Sequence, residues 1–381
     1  MSRLNDLIKE ICPNGVQYKN YGDVFEIKTG KGITTKDASN DGLYPIISGG
    51  TTPMGYYNQY NRNENTVTVS RVGANAGFVS FIKEKFYLND KCFSIVPVTN
   101  YVNRLLPKFV FHYTKNIEKD IMKLQSEGGV PTINTQKVSN LLIPIPPIEV
   151  QEEIVKILDK FCELEAELEA ELEARKSQYE FWRGKLLDKK NYNYKKYNIT
   201  EICKSISAGG DVPEDTIKGI SKPQDDYKYP VISNGVGENA IYGYSKNYRV
   251  DVQSCVTIAA RGTIGYHEVR HGKFTPIIRL ITLIPDEEIV SAKYLHYALY
   301  GHEFKPSGGS IPQLTTPTVK QLDLMIPPIE EQNRVVSILD KFNSLVNDIT
   351  VGLPAEIELR RKQYEYYRNK LLSFEELIVS E

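Results

Sequence analysis

The chain has 381 residues, of which 41% are hydrophobic, and a formal net charge of −1. This length can bury two cores of ordinary domain size, and the absence of any run of about 18 apolar residues or of a signal-peptide core argues against a membrane or secreted protein. The five cysteines form no CxxC pair, so neither a zinc cluster nor a disulfide framework is predicted. We therefore expect a globular, cytoplasmic protein.

Residues 1–145 form the first predicted domain. Short β-branched runs, such as YPIIS from Tyr44 and NTVTVS from Asn65, alternate with Gly, Asn and Pro. This pattern predicts strands joined by loops, with a helix near residues 107–122, hence a mixed α/β module. Its glycine-flanked loops carry hydrogen-bond donors and flat rings that suit base edges and phosphates. The candidate DNA-binding residues are Thr51, Thr52, Tyr57, Asn58, Arg62, Arg71 and Asn75.

Residues 146–190 form a first helical segment, which follows a proline pair that suits a helix entry. Its predicted packing stripe comprises Ile154, Leu158, Phe161, Leu168 and Leu172. Residues 163–174 read ELEAELEAELEA, a repeat of strong helix formers without a breaking residue, so we expect uninterrupted helix. The glutamates of this repeat repel one another at i,i+4, so packing has to supply the stability. A helix over residues 149–187 would be about 57 Å long at 1.5 Å per residue.

Residues 191–325 form the second predicted domain, again mixed α/β. The runs YPVIS from Tyr229 and CVTIAA from Cys255 predict strands, and residues 292–300 predict a helix. The candidate DNA-binding residues here are Asn234, Tyr244, Lys246, Arg249, Arg261 and Thr263. For Arg71 and Arg261, a surface ion pair or a strand-end cap is an equally good interpretation.

Residues 326–381 form a second helical segment. Its predicted packing stripe comprises Val335, Leu339, Phe342 and Val346. The sequence Gly352-Leu353-Pro354 stands where the first segment carries its ELEA repeat. Because glycine and proline break helices, we expect this helix to stop there and to restart near Ala355.

The chain is an internal duplication. The sequence PPIEVQEEIVKILDKF from Pro146 returns as PPIEEQNRVVSILDKF from Pro327, with 11 of 16 residues identical, and QYEFWRGKLL from Gln178 returns as QYEYYRNKLL from Gln363. A period of about half the chain indicates two domain-sized copies rather than a solenoid. We expect an α+β fold in which two similar mixed α/β domains are separated by a pair of long antiparallel, coiled-coil helices. This pairing gives a pseudo-two-fold axis and brings the chain ends near each other.

Charge is unevenly distributed between the two kinds of segment. Lys and Arg outnumber Asp and Glu by 17 to 12 in residues 1–145 and by 15 to 14 in residues 191–325, whereas the helical segments have 8 against 12 and 7 against 10. Phosphate groups would be attracted to the basic modules and repelled by the acidic helices.

No catalytic apparatus is evident in the sequence. A GxxxxGK[ST] phosphate loop is missing, and the five histidines have no HExxH or nucleophile context. We interpret His267 and His271, in a predicted hairpin, as surface imidazoles rather than a metal pair. Glu214 and Asp215 resemble a nuclease carboxylate cluster only weakly. We expect no catalytic residue, metal or cofactor in this chain.

The repeated IPxPPIExQ…ILDKF and QYExxRxKLL motifs, YPIISGG with YPVISNG, and IPQLTTPTVKQL resemble the specificity subunit of type I restriction-modification enzymes. The resemblance covers the whole chain, although ELEAELEAELEA replaces the usual GLPAEIE in the first helical segment. It implies that each domain reads one half of a split double-stranded DNA target and that the helices set the distance between the two halves. Two methyltransferase subunits, which use S-adenosylmethionine, and a restriction subunit, which uses ATP and Mg²⁺, are the implied partners.

Two other functions compete with this reading. A self-contained nuclease would cleave DNA with a divalent metal, and a coiled-coil adaptor would bind only proteins and show no affinity for DNA. The sequence favours the non-catalytic specificity subunit, because it combines paired modules with the lack of cofactor motifs.

Overall fold

The computed structural model describes residues 2–126, 128–188, 193–300, 302, 304 and 312–377. The strands of the first half are β1 (Tyr18–Asn20), β2 (Phe25–Thr29), β3 (Tyr44–Ile47), β4 (Tyr56–Tyr57), β5 (Thr66–Ser70), β6 (Val79–Ile82), β7 (Tyr87–Leu88), β8 (Cys92–Pro97) and β9 (Leu142–Pro144). Its helices are α1 (Ser2–Ile11), α2 (Tyr21–Val24), α3 (Pro107–Asn116), α4 (Glu118–Met122), α5 (Thr135–Ser139) and α6 (Ile148–Leu186).

The second half repeats much of this order of elements. Its strands are β10 (Lys195–Asn198), β11 (Cys203–Ala208), β12 (Ile217–Lys218), β13 (Tyr229–Ile232), β14 (Ile241–Ser245), β15 (Val250–Ala259), β16 (His267–Pro276), β17 (Leu280–Pro285) and β18 (Asp323–Ile326). Its helices are α7 (Ile199–Ile202), α8 (Ala292–Leu299), α9 (Thr316–Val319), α10 (Ile329–Asn347) and α11 (Leu353–Leu371).

The chain divides into two compact units. The first unit contains residues 1–170 and 355–381, and the second contains residues 171–354. In the first unit, four antiparallel strands pair in the order β2-β8-β5-β6, and a smaller sheet has the order β4-β3-β7. In the second unit, one seven-stranded sheet has the order β11-β17-β15-β16-β13-β14-β12. The order β2-β8-β5-β6 matches β11-β17-β15-β16, and β7-β3-β4 matches the end of β16 followed by β13 and β14, in line with the predicted duplication.

The α6 helix is uninterrupted over 39 residues, as the ELEA repeat predicted. The predicted break in the second helical segment is also confirmed, because α10 ends at Asn347 and α11 begins at Leu353. Gly352 lies in this break, and a Cβ on it would stand 2.5 Å from the carbonyl oxygen of Ser344. Any other residue would therefore collide with the end of α10.

The early and late parts of the chain meet in the first unit, as the sequence predicted. The Val16 amide donates to the Glu375 carbonyl at 2.8 Å, and the Leu377 amide donates to the Val16 carbonyl at 3.0 Å. Tyr18 Oη also donates to the Phe374 carbonyl at 3.1 Å. The segment after α11 therefore forms part of the same fold as the first strand.

In each unit, one fully buried glutamine attaches the long helix to the segment that precedes α3 or α8. The Gln151 side chain donates to the carbonyls of Arg104 and Pro146, at 2.8 Å each, and accepts from the Leu106 amide at 2.9 Å. Backbone groups therefore bind the side-chain oxygen and both N–H groups of this amide.

Gln332 repeats this arrangement in the second unit. It donates to the carbonyls of Ile289, at 2.8 Å, and Pro327, at 2.9 Å, and accepts from the Ser291 amide at 3.1 Å. The glutamine shared by the two PPIExQ motifs therefore has the same structural function in both copies.

Two histidines of the second unit, His267 of β16 and His296 of α8, lie in contact. His267 Nδ1 and His296 Nδ1 are 2.9 Å apart, and both rings pack edge-on against Tyr300. Burial lowers the pKa of His267 to about 3, helped by the charge of His296, and burial lowers the pKa of His296 to about 4. His267 is therefore half-buried instead of fully exposed, whereas His271 is exposed as predicted.

Replacing Gln332 with Met should lower the free energy of unfolding of the second unit by about 2–5 kcal/mol, because three buried backbone groups lose their partner. The fluorescence of Trp182, the chain's single tryptophan, reports on this unit during urea unfolding. The exposed Gln321→Met is the matched control and should change stability by less than about 0.5 kcal/mol. Equal effects of the two substitutions would contradict the anchoring function.

Acidification should destabilise the second unit through the histidine pair. Below about pH 6.5 the unfolded chain binds protons that the folded pair resists, so stability is lost as pH falls toward 4, by up to about 2.7 kcal/mol per pH unit for two groups. The double variant His267→Phe/His296→Phe should show a shallower loss over this range in urea titrations followed by Trp182 fluorescence. An unchanged pH slope would show that the pair does not resist protonation.

Candidate nucleic-acid interface

Three loops of the first unit meet beyond the strand ends: residues 48–53 after β3, residues 71–78 between β5 and β6, and residues 128–133 before α5. Asn75 Nδ2 donates to the Gly49 carbonyl at 3.0 Å and joins the first two loops. The Gly73 amide donates to the Pro131 carbonyl at 3.0 Å and joins the second to the third. We call this arrangement the three-loop cluster of the first unit.

The second unit builds the same cluster from residues 233–236, 260–265 and 312–314. Thr263 Oγ1 donates to the Asn234 carbonyl at 2.7 Å, and Asn234 Nδ2 donates to the Arg261 carbonyl at 2.7 Å. Arg261 in turn donates from Nε to Gln313 Oε1 at 2.9 Å. Side chains thus connect all three loops.

The two clusters share one backbone pattern despite different side chains. The Ile133 amide donates to the Arg71 carbonyl at 2.8 Å, and the Leu314 amide donates to the Ala260 carbonyl at 2.8 Å. Matching backbone bonds therefore fix the loops, while the residues at the loop tips are free to differ. Such a scaffold can present different recognition surfaces on one geometry.

Glycine is required at the end of the middle loop in both clusters. Gly77 has φ +99° and Gly265 has φ +84°, which L side chains rarely adopt. A Cβ at Gly77 would lie 2.6 Å from Met122 Cγ, and one at Gly265 would lie 2.8 Å from Phe304 Cδ2. The loop can therefore turn back into the next strand only with glycine here.

The predicted DNA-binding residues of the first unit fall into two groups. Thr51 and Thr52 are exposed and line a cavity of about 300 Å³ with Lys83 and Glu84, and Asn58 is also exposed. Each of these side chains is available to a ligand.

Other candidates of this unit are engaged inside the fold. Arg62 Nε donates to Ser94 Oγ at 2.7 Å, and its other nitrogens donate to the carbonyls of Asn61, Lys28 and Thr29. The ring of Tyr57 packs edge-on against Tyr87. The side chain of Asn75 donates to the Gly49 carbonyl within the three-loop cluster.

Arg71 lies at the edge of the three-loop cluster of the first unit. Its Nη1 donates to the Asp90 carbonyl at 3.3 Å, which is a long bond, and its backbone carbonyl accepts from Ile133. The side chain is half-buried. The strand-end cap considered for Arg71 fits this geometry.

In the second unit, the structure separates the candidates in a similar way. Tyr244 is buried, and its hydroxyl donates to the Ser221 carbonyl at 3.3 Å. Lys246 Nζ lies 5.0 Å from the centre of the Tyr227 ring, while Arg249 is exposed. Tyr244, Lys246 and Arg249 lie outside the three-loop cluster, which contains Asn234, Arg261 and Thr263.

The sequence did not single out Gln313, whose Oε1 accepts hydrogen bonds from the guanidinium of Arg261. The IPQLTTPT sequence carried a signal for it, because residues 312–315 precede α9 in the same place where residues 131–134 precede α5. An amide that already accepts from arginine still has its own N–H groups to offer a ligand.

The predicted packing stripes lie in two separate cores. Ile154 and Leu158 of α6 are buried in the core of the first unit with Leu371 of α11. Val335, Leu339 and Val346 of α10 are buried in the core of the second unit. These buried stripe residues pack against their own modules, whereas the sequence predicted that the two stripes pack on each other.

An ion pair also connects each helix to its own module. Asp159 of α6 pairs with Lys108 and lies 3.0 Å from His112 Nε2, both on α3. Burial opposes ionisation of Asp159, but hydrogen bonds from Lys108 and His112 outweigh it and lower the pKa of the carboxyl. The ILDKF aspartate thereby holds α6 against the module.

Asp340 repeats this function in α10. It pairs with Lys293 and accepts from Tyr297 Oη at 2.8 Å, and both partners belong to α8. Lys108 and Lys293 therefore occupy equivalent places, and the second partner is His112 in one copy and Tyr297 in the other.

The remaining stripe residues contact a second helix. Phe161 stacks on Tyr367 of α11 with ring centres 5.3 Å apart, and Arg361 of α11 pairs with Glu165 and Glu169 of α6. Since higher numbers on α11 meet lower numbers on α6, these two helices run antiparallel within the first unit.

In the second unit, Phe342 of α10 lies 6.5 Å from the ring of Tyr179 in the later part of α6. Leu172 is half-buried against the core of this unit, and Leu168 is half-buried in the first unit. The long helix thus contributes its early residues to one core and its late residues to the other.

Among the described residues, no group of three or more His, Cys, Asp or Glu side chains is placed to hold a metal ion. Within the same residues, no helix is long and apolar enough to cross a membrane.

The family model of the type I restriction modification DNA specificity domain matches residues 13–174 and again residues 191–359. A protein of Mycoplasma pneumoniae named as the type I specificity subunit S.MpnORF89P is 36% identical over 336 residues, which cover 84% of this chain and 97% of that protein. The EcoR124I/EcoR124II specificity subunit of Escherichia coli is 28% identical over 411 residues, with 98% of each chain covered.

A solved structure, the S subunit of the type I restriction-modification system from M. genitalium, resembles this chain with a TM-score of 0.63 and 16% identity. The likeness covers 94% of this chain and 96% of that one and extends to the whole mixed α/β fold. Because the family model matches both halves of the chain, this protein belongs to the type I restriction-modification DNA specificity family, as its repeated motifs predicted.

Proposed function

We propose that this chain is the non-catalytic subunit that selects the DNA sequence for a type I restriction-modification enzyme. Each three-loop cluster would read one half of a bipartite double-stranded target. The duplicated cluster carries the proposal, because matching backbone bonds hold two surfaces whose side chains differ. Such a pair of surfaces would select two half-sites of different sequence.

The chemistry belongs to partner subunits in this proposal. Two methyltransferase subunits would bring S-adenosylmethionine, and a restriction subunit would bring ATP and Mg²⁺. The duplication supports two equivalent partners, since repeated helices offer the same docking surface twice. The names of the relatives in M. pneumoniae and E. coli support a place in such a complex.

The function is tested by co-expressing the chain with a type I methyltransferase subunit of the same host and mapping methylated adenines in the host DNA. A bipartite methylated sequence is expected. Cleavage of DNA by the purified chain with a divalent metal would instead favour a nuclease. A complete lack of DNA affinity, even with the methyltransferase, would favour a protein-binding adaptor.

Substituting one cluster should change one half of the target. Gln313→Ala with Thr263→Ala removes side chains of the second cluster and should relax the methylated sequence at one half-site, with a loss of about 1–3 kcal/mol of base discrimination. Thr51→Ala with Thr52→Ala is the matched control and should affect the other half-site only. A uniform effect of both variants on the two half-sites would contradict separate recognition.

The ELEA repeat should set the distance between the half-sites. Each four-residue unit adds about 6 Å of rise and about 400° of rotation to α6, a net rotation of about 40°, whereas one base pair rotates about 34 to 36°. Inserting one ELEA unit should therefore lengthen the gap in the methylated sequence by about one base pair.

Adenine mapping with the inserted variant measures this gap directly. An insertion of two residues is the control, because it adds about 200° of rotation and should abolish methylation. Methylation with an unchanged gap after the four-residue insertion would refute the measuring function of the helix.

A further inference from the structure

The turn before β8 and the turn before β17 occupy the same place in their units. Residues 86–97 and residues 274–285 align without a gap, so Lys91 matches Arg279. The strand pairing follows this register, since β3 pairs in parallel with β7 at Tyr87 and Leu88, and β13 pairs in parallel with β16 at the matching positions. A basic residue therefore stands at one topological position in both copies.

Backbone hydrogen bonds confirm the equivalence. The Arg71 amide donates to the Lys91 carbonyl at 2.7 Å, and the Ala260 amide donates to the Arg279 carbonyl at 2.7 Å. Arg71 and Ala260 are the same residues whose carbonyls accept from the third loop of each cluster. Lys91 and Arg279 are thus attached directly to the three-loop clusters.

Lys91 also borders the first loop of its cluster. A Cβ built on Gly49 would lie 3.9 Å from Lys91 Cβ, which is ordinary van der Waals contact. The side chain of Lys91 therefore starts beside the loop that carries Thr51 and Thr52. The loop residues and the lysine can contact one ligand together.

The side chains of both basic residues are exposed and lack a partner within the described parts of the chain. Arg62 and Arg261 differ in this respect, because their guanidinium groups already donate to protein oxygens. A cation without an internal partner retains its full capacity for an external anion.

Arg279 holds an unusual backbone conformation, with φ +87°. Glycine adopts such a conformation without steric cost, whereas an L side chain is strained there. The carbonyl of Arg279 is fixed by Ala260, so the strain persists in the folded unit. Backbone strain of this kind clusters at functional sites. There, the side chain can make a contact that glycine could not make.

We propose that Lys91 and Arg279 bind phosphates of the DNA backbone, one in each half of the target. This inference rests on the proposed function and specifies which group of the DNA the two residues contact. The phosphate is favoured over a base edge because the two half-sites differ in sequence but share the backbone. Lysine in one copy and arginine in the other also fit a phosphate, because both side chains keep a positive charge at this position although their donor geometries differ.

The inference is tested with Lys91→Ala, Arg279→Gly and the double variant of the full chain, alone and in complex with the co-expressed methyltransferase. Glycine at position 279 removes the charge and relieves the backbone strain, so a binding defect cannot come from a misfolded turn. Affinity is measured by fluorescence anisotropy on a labelled random-sequence duplex of about 40 bp, about four helical turns, and on a duplex with the methylated sequence.

Each single variant should lower the slope of log affinity against log salt by about 0.9, and the double variant by about 1.8. The loss of affinity should be equal on the random and the methylated sequence. Lys91→Arg and Arg279→Lys should bind as the wild type does.

Lys204→Ala is the matched control. Lys204 is exposed and pairs with Asp286 just after β17, at the end of that strand opposite to Arg279 and about 20 Å away at 3.3 Å per residue. This variant should leave the salt slope unchanged.

Three outcomes would overturn the inference while leaving the proposed function intact. They are unchanged binding by the double variant, an equal loss with Lys204→Ala, and a loss confined to the methylated sequence, which would indicate base contact. Failure of the wild-type chain to bind either duplex, even in the complex, would instead overturn the proposed function.

Discussion

The position of each helix relative to its module depends on one buried amide. A glutamine side chain without solvent needs partners for its oxygen and its two N–H groups, and Gln151 and Gln332 find all three among backbone atoms. Because backbone groups cannot shift independently, the first turn of α6 and of α10 is fixed against the segment before α3 or α8. The aspartates of the ILDKF motifs secure the next turns through Lys108 and Lys293.

Much of the fold could be predicted from the sequence. The duplication, the strand-rich modules, the uninterrupted α6 and the break before α11 all follow from local propensities, which act within a few residues. The family followed from the same repeated motifs. Each of these features is determined by a contiguous stretch of residues.

The assignment of individual side chains was harder to predict, because it depends on distant partners. Arg62 and Tyr244 stand in glycine-flanked segments like the other candidates, yet their polar groups bond to carbonyls of other segments. Lys91 and Arg279 escaped notice because their equivalence emerges only when the strand register is known. The packing stripes were found, but periodicity alone cannot say which surface a stripe faces.

The contact between Arg361 and the repeat has a consequence for how the helix length can vary. Arg361 pairs with Glu165 and Glu169, which are the same position in two successive ELEA copies. Removing or adding a whole copy would bring an identical pair of glutamates opposite this arginine. The first unit would then keep its ion pairs without any compensating substitution, so a change in copy number requires no second change at this contact.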